Sequence, residues 1–122
     1  MKRYVAEPGS DLIRHVMQEA DRWFTVRTGY VETVRAVGLA ASGASRTVRE
    51  EWPAFAVVEI DQELVEQAAT LALADDLRSL DSLHLAAALV LPVDDLVVAT
   101  WDRRLHAAAR SHRLDVLPQA LP

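Results

Sequence analysis

The sequence contains no cysteine among its 122 residues. This absence excludes a disulfide scaffold, a cysteine-ligated zinc site and a thiol nucleophile, and it is compatible with a reducing compartment. Glycine is scarce too: there are four, and they do not form the glycine-rich loop that cradles phosphates in nucleotide-binding Rossmann domains. No Gly-x-Ser-x-Gly elbow occurs, so a serine hydrolase of that type has no support.

Long apolar runs are also missing. The longest, Leu85 to Val93, has about half the length of a membrane-spanning helix and is bounded by His84 and Asp94. Residues 7–11, after the basic start of the chain, are polar or turn-forming where a signal peptide needs an apolar stretch. The sequence therefore predicts a soluble cytoplasmic protein that does not associate with membranes.

Positive charge is in the minority. The 13 basic residues face 18 acidic ones, which gives a formal net charge of −5 and argues against a protein that holds nucleic acid by bulk electrostatics. An enzyme that clusters carboxylates at a metal and touches RNA locally remains compatible with this charge. Lys2 is the single lysine, and such arginine-rich usage suits phosphate recognition or reflects the coding bias of a GC-rich genome.

The length fits a single domain over residues 1–122. Helical patterns of ten or more residues alternate with short patterns typical of buried strands. We place the strands at residues 23–26, 56–60, 96–100 and 116–117. This alternation indicates an α/β fold with a mainly parallel sheet covered by helices on both faces. Such a sheet usually begins with a strand that ends near the ligand crevice, whereas residues 2–4 read as a helix or loop, so we expect the sheet as written to be incomplete.

Three acidic residues stand out by their positions. Glu32 and Asp81 lie in the first turns of predicted helices, and Asp102 directly follows a predicted strand. Strand C-termini and helix N-termini share one edge of a parallel sheet, so we expect the three carboxylates at one rim. Close carboxylates repel unless a cation neutralises them, and Mg²⁺ takes oxygen ligands from a few carboxylates while keeping waters. A metal at this rim could generate a hydroxide and stabilise charge on a phosphodiester.

The same three acids have an ordinary alternative interpretation. Asp and Glu near a helix N-terminus commonly stabilise the helix dipole, by under about 1 kcal/mol. Taken one at a time, each acid fits this capping role better than a metal site. Their predicted convergence on one rim favours the metal site.

Three stretches then resemble a known family. Tyr30-Val31-Glu32-Thr33-Val34-Arg35-Ala36, Leu80-Asp81-Ser82-Leu83-His84-Leu85-Ala86 and Ala99-Thr100-Trp101-Asp102-Arg103-Arg104-Leu105 are similar to the second, third and fourth acidic motifs of PIN domains of the VapC type. The resemblance covers nearly the whole chain, and the last two motifs are the more specific. It implies a three-layer α/β/α domain and an endoribonuclease that depends on Mg²⁺ or Mn²⁺. It also implies a toxin that is usually a dimer and is held inactive by a small antitoxin of the VapB type.

Within this resemblance, the residues expected to bind the metal, directly or through waters, are Glu32, Asp81 and Asp102, with water as the nucleophile. Thr100 matches the family's hydroxyl residue two positions before the last acid, although a threonine that closes a strand is equally common. Arg103 and Arg104 could contact RNA phosphates or the antitoxin, although solvated helix charge is the commoner role of such residues.

The family's first motif, an Asp at the end of the first strand, has no counterpart in this sequence. In relatives that motif runs into a stretch that Met1-Lys2-Arg3-Tyr4 matches from its second residue. Either the start has been assigned too late, or this is a shortened form. The rival function is therefore a non-catalytic PIN module that binds antitoxin or a toxin subunit without cutting RNA. A metal phosphoesterase of another lineage would need a histidine-rich site, which the four scattered histidines do not offer.

Overall fold

A computed structural model describes residues 2–41 and 43–122. These residues form two compact units, which we call the N-terminal unit (to Glu59) and the C-terminal unit (Ile60–Pro122). Each unit contains α-helices and a pair of parallel strands. The predicted α/β fold class is therefore confirmed, whereas the organisation as a single domain stays a prediction. No helix in the described ranges is long and apolar enough to cross a membrane.

The N-terminal unit is built around a short parallel pair of strands. Trp23 of β1 lies opposite Phe55 of β2, and Val26 lies opposite Val58 at the other end. Side chains from the helices pack beneath this pair, and the most deeply buried apolar residues of the unit are Ile13, Val26, Val37 and Val48. The elements are α1 (Ser10–Glu19), β1 (Trp23–Val26), α2 (Gly29–Ala40), α3 (Ala44–Glu51), a 3₁₀ turn (Trp52–Ala54) and β2 (Phe55–Val58).

A close approach at the start of α2 requires glycine. A Cβ atom at Gly29 would lie 2.2 Å from the Oγ1 atom of Thr25, far inside van der Waals contact. Gly38, further along the same helix, is different, because a Cβ there would meet only the Cβ of Ser45 at 3.7 Å. The missing side chain at Gly29 therefore allows α2 to begin directly against β1.

A partly buried ion pair ties the start of the chain to the end of α3. Arg3 donates from Nε and Nη2 to the two carboxylate oxygens of Glu51 at 2.5 and 3.0 Å, and the Tyr4 hydroxyl donates to the same carboxylate at 2.6 Å. The hydrogen bond from Arg3 lowers the pKa of the Glu51 carboxyl below its ordinary value. Burial and the neighbouring carboxylate raise the pKa of Tyr4. This contact fixes residues that the sequence read only as a helix or loop.

The C-terminal unit packs three helices with a second parallel pair of strands. Apolar residues at helical spacing on α4, namely Leu64, Ala68 and Leu71, are buried together with Leu85 and Ala86 of α5. Val97 of β3 lies opposite Asp115 of β4, and Ala99 lies opposite Leu117. The elements are α4 (Gln62–Ala74), α5 (Ser79–Val90), β3 (Val97–Ala99), α6 (Arg103–Ser111) and β4 (Asp115–Leu117).

Two helices of this unit end in the same hydrogen-bonded turn. After α4, Asp76 adopts a left-handed conformation (φ 52°) and the amide of Leu77 donates to the carbonyl of Ala72 at 3.1 Å. This is the Schellman arrangement, which satisfies carbonyls at a helix end. After α6, Arg113 takes the left-handed position (φ 64°). The turn after α4 buries Leu77 and delivers the chain, extended at Arg78, to the start of α5.

Candidate metal centre

Asp81 lies in the first turn of α5. Its position follows from the turn after α4, which ends that helix and starts the next one within four residues. The side chain of Asp81 is 18% exposed, so its carboxylate is partly withdrawn from water while still accessible. A carboxylate so placed is stabilised by the helix N-terminus and needs a further cationic partner as it loses solvent.

Asp102 is the N-cap of α6 and lies three residues after the end of β3 at Ala99. Its Oδ1 atom accepts a hydrogen bond from the amide of Leu105 at 2.9 Å, which is the usual N-cap contact. Its own amide donates to the hydroxyl of Thr100 at 3.2 Å. These two contacts fix the orientation of the carboxylate, which leaves Oδ2 available for another partner.

Arg78 brings the two carboxylates together. Its Nε atom donates to Oδ2 of Asp81 at 3.2 Å, and its Nη2 atom donates to Oδ2 of Asp102 at 3.1 Å. One planar guanidinium therefore spans two carboxylates that are 21 positions apart in the sequence. The arginine side chain itself is 71% exposed, so this cation lies at the surface of the unit.

The donor set fits a hard divalent cation. Two carboxylate oxygens, one from each aspartate, are directed at a single positive charge, and Mg²⁺ is commonly bound through one or two carboxylates with waters and substrate phosphates filling its other positions. Within either unit, no group of three acidic or histidine side chains among the described residues could hold an ion together. Asp81 and Asp102 are therefore candidates for two of the protein ligands of such an ion.

The other residues predicted for the site have the following places. Glu32 lies in the first turn of α2 in the N-terminal unit, and its membership of a common site with the two aspartates stays a prediction. Thr100 accepts from the amide of Asp102, as described above. Arg103 and Arg104 are in the first turn of α6, where Arg103 donates to the carbonyl of Pro122 at 2.8 Å and Arg104 lies 3.6 Å from the carboxylate of Asp76.

The sequence interpretation missed Arg78. A local signal for it exists, since an arginine three residues before an aspartate at a helix start is a spacing that allows an ion pair. Its second contact, with Asp102, joins residues that are 24 positions apart and depends on how α5 and α6 pack. No local pattern could have predicted that contact.

Comparison with known proteins places this arrangement in a family context. The family model described as PIN domain matches residues 5–111. Ribonuclease VapC45 and Ribonuclease VapC49, from two strains of Mycobacterium tuberculosis, are each 34% identical to the chain, over 99% of this chain and 91% of their own length. Ribonuclease VapC46 of M. tuberculosis is 28% identical, over 96% of this chain and 89% of its own length. No solved structure matches.

Proposed function

Because the chain belongs to the PIN domain family, in its VapC branch, we propose that it is a metal-dependent endoribonuclease that acts as the toxin of a toxin–antitoxin pair. The observation that carries this proposal is that the carboxylates of Asp81 and Asp102 both contact the guanidinium of Arg78. These two positions also match acidic motifs of the family. The names of the relatives support RNA as the substrate class.

The residues of the site divide the work as follows. Asp81 and Asp102 would hold Mg²⁺ or Mn²⁺ through carboxylate oxygens, and Glu32, which matches the second acidic motif of the family, is proposed as a third carboxylate ligand. A divalent cation held there would supply a Lewis acid for the phosphodiester and would lower the pKa of water, the proposed nucleophile. The hydrogen bond from the Asp102 amide to the Thr100 hydroxyl, and the one that Oδ1 accepts from the Leu105 amide, hold the Asp102 carboxylate in one orientation.

Substrate and partners follow from the same proposal. Arg103 and Arg104 lie in the first turn of α6, beside Asp102, and would contact RNA phosphates as the backbone enters the site. The cognate antitoxin is a VapB-type protein that keeps the toxin inactive. Assembly as a homodimer and location in the cytoplasm stay predictions from the sequence and its family resemblance.

Cleavage of a structured RNA tests the proposal. The purified chain is incubated with RNA and Mg²⁺ or Mn²⁺, with and without EDTA, beside Asp81→Asn and Asp102→Asn. Asp61→Asn is the matched control, because Asp61 caps α4 through its contact with the Leu64 amide at 2.8 Å but lies outside the proposed site. We expect metal-dependent cleavage that falls on the order of 100-fold or more in the two site variants, since metal binding provides several kcal/mol of transition-state stabilisation.

Two other outcomes would overturn the assignment. Unchanged cleavage in both site variants would remove Asp81 and Asp102 from the mechanism. A folded chain that cleaves nothing with either metal, while it binds the antitoxin, would identify it as a non-catalytic PIN module. Circular dichroism of each variant distinguishes loss of chemistry from loss of fold.

A further inference from the structure

Arg78 forms ion pairs with both carboxylates that the proposed function assigns to the metal. Its side chain donates to the Oδ2 atoms of Asp81 and Asp102, the same oxygens that would face a divalent cation. The arginine and the metal therefore require the same side of both carboxylates. Each of these oxygens can accept more than one bond, but two cations at this distance repel each other.

The shared oxygens decide how the two cations relate. A divalent cation at the Oδ2 atoms of Asp81 and Asp102 would take the place of the guanidinium, because both cations need the same two oxygens. Since the arginine side chain is 71% exposed, it can move into water at little cost, whereas the aspartate at 18% exposure cannot. The arrangement favours release of the arginine when a metal binds.

Resting on the proposed function, we propose that Arg78 is a built-in counter-ion that competes with the divalent metal for Asp81 and Asp102 and so sets the metal concentration at which the site fills. It is a positioning residue, because it acts through the two aspartates. In the absence of metal it holds the carboxylates side by side and offsets their repulsion. The metal must displace it, which weakens the apparent affinity of the site.

The variant that tests this role is Arg78→Gln. The substitution leaves the start of α5 intact, because the arginine side chain makes no capping hydrogen bond there. Arg110→Gln is the matched control. Arg110 is exposed in the last turn of α6, in the same unit, and lies about 10 Å along this helix from Arg103, the first residue of α6. Loss of its charge reproduces the change in net charge without touching either aspartate.

Mn²⁺ affinity is measured by isothermal titration calorimetry on the full chain. We expect Arg78→Gln to bind Mn²⁺ about threefold to tenfold more tightly than the unaltered chain, the range that follows from no longer breaking two solvent-exposed ion pairs. Arg110→Gln should stay within about twofold, because salt screens a charge at that distance. Arg78→Lys keeps the charge but loses the forked guanidinium that spans both carboxylates. Its Mn²⁺ affinity should therefore fall between that of the unaltered chain and that of Arg78→Gln.

Tighter Mn²⁺ binding by Arg78→Gln would show that Arg78 competes with the metal. If Arg78 only maintained the structure of the site, its loss would weaken Mn²⁺ binding. The rise in Tm on adding saturating Mn²⁺ should also be larger in Arg78→Gln than in the unaltered chain. Equal or weaker Mn²⁺ binding by a folded Arg78→Gln would overturn the role of Arg78 and leave the proposed function standing. No Mn²⁺ binding by any of the chains would overturn both.

Discussion

Asp102 is expected to have two separable roles, and substitution can divide them. Oδ1 caps α6 by accepting from the Leu105 amide, and Oδ2 accepts from Arg78, where the proposed metal would bind. Asn keeps an oxygen that can cap the helix and removes the charge, whereas Ala removes both. Asn is as good an N-cap as Asp, and replacement of such a cap by Ala costs about 0.5–2 kcal/mol. The free energy of unfolding should therefore respond to Asp102→Ala more than to Asp102→Asn.

These energies convert into measurable shifts. For a chain of 122 residues, 1 kcal/mol corresponds to about 4 °C in Tm, so Asp102→Ala should lower Tm by about 2–8 °C. Asp102→Asn should stay within about 2 °C, because solvent weakens both interactions that are lost, that of the charge with the helix dipole and the exposed ion pair with Arg78. Both variants should bind Mn²⁺ at least about tenfold more weakly, since a charged oxygen donor of the proposed site is gone. Thermal unfolding in EDTA and calorimetric titration with Mn²⁺ measure the two effects separately.

Asp61 provides the control for this experiment. It caps α4 with the same geometry, accepting from the Leu64 amide at 2.8 Å. Asp61→Ala should lower Tm by the same 2–8 °C that capping implies and leave Mn²⁺ affinity unchanged. The reasoning would be refuted if Asp102→Asn lost as much stability as Asp102→Ala, or if Asp61→Ala weakened Mn²⁺ binding as much as the Asp102 variants do.

Three further predictions, two of them with a control substitution, test the fold. Gly29→Ala should cost about 1–3 kcal/mol because its Cβ would overlap a threonine hydroxyl of β1, while Gly38→Ala should be neutral or stabilising by up to about 1 kcal/mol; urea unfolding measures both. Glu51→Gln should lose about 1–3 kcal/mol at pH 7. The folded-state pKa of the Glu51 carboxyl is lowered, so its contribution to the free energy of unfolding is complete above the unfolded pKa of about 4.3 and disappears as pH falls through the folded pKa. In urea titrations below about pH 4, the free energies of unfolding of Glu51→Gln and the unaltered chain should therefore converge. Arg113→Gly should raise the free energy of unfolding by about 0.5–1 kcal/mol by relieving the left-handed conformation, whereas Arg110→Gly inside α6 should lower it; a Tm that moves the same way in both would contradict the turn geometry.

Local chemistry made much of the fold predictable. Asp61 is a residue type that favours helix caps and does cap α4, and the strand predicted at residues 23–26 has those bounds in the structure. These features depend on side chains within a few residues of each other, where capping and periodicity operate. The ends of α4 and α6 were harder to locate, because the left-handed positions there are held by Asp76 and Arg113, whereas glycine is the usual sequence signal for such a turn.

The candidate site was predictable in part for the same reason. Asp81 was selected because it lies in the first turn of a predicted helix, and Asp102 because it follows a predicted strand. The structure shows both of them bound to Arg78. The bridging arginine depends on a contact across 24 residues, which is set by packing and not by periodicity. Glu32 was selected by the same reasoning, and its participation in metal binding remains a prediction for the variants to test.

The most direct test of the central claim is the rate of RNA cleavage by this chain as Mg²⁺ is titrated, compared with Asp81→Asn under the same conditions. The account predicts cleavage that rises with Mg²⁺, stops on addition of EDTA, and is lost in the variant while its circular dichroism spectrum is unchanged. Cleavage that persists in EDTA, or that proceeds equally fast in Asp81→Asn, would contradict it.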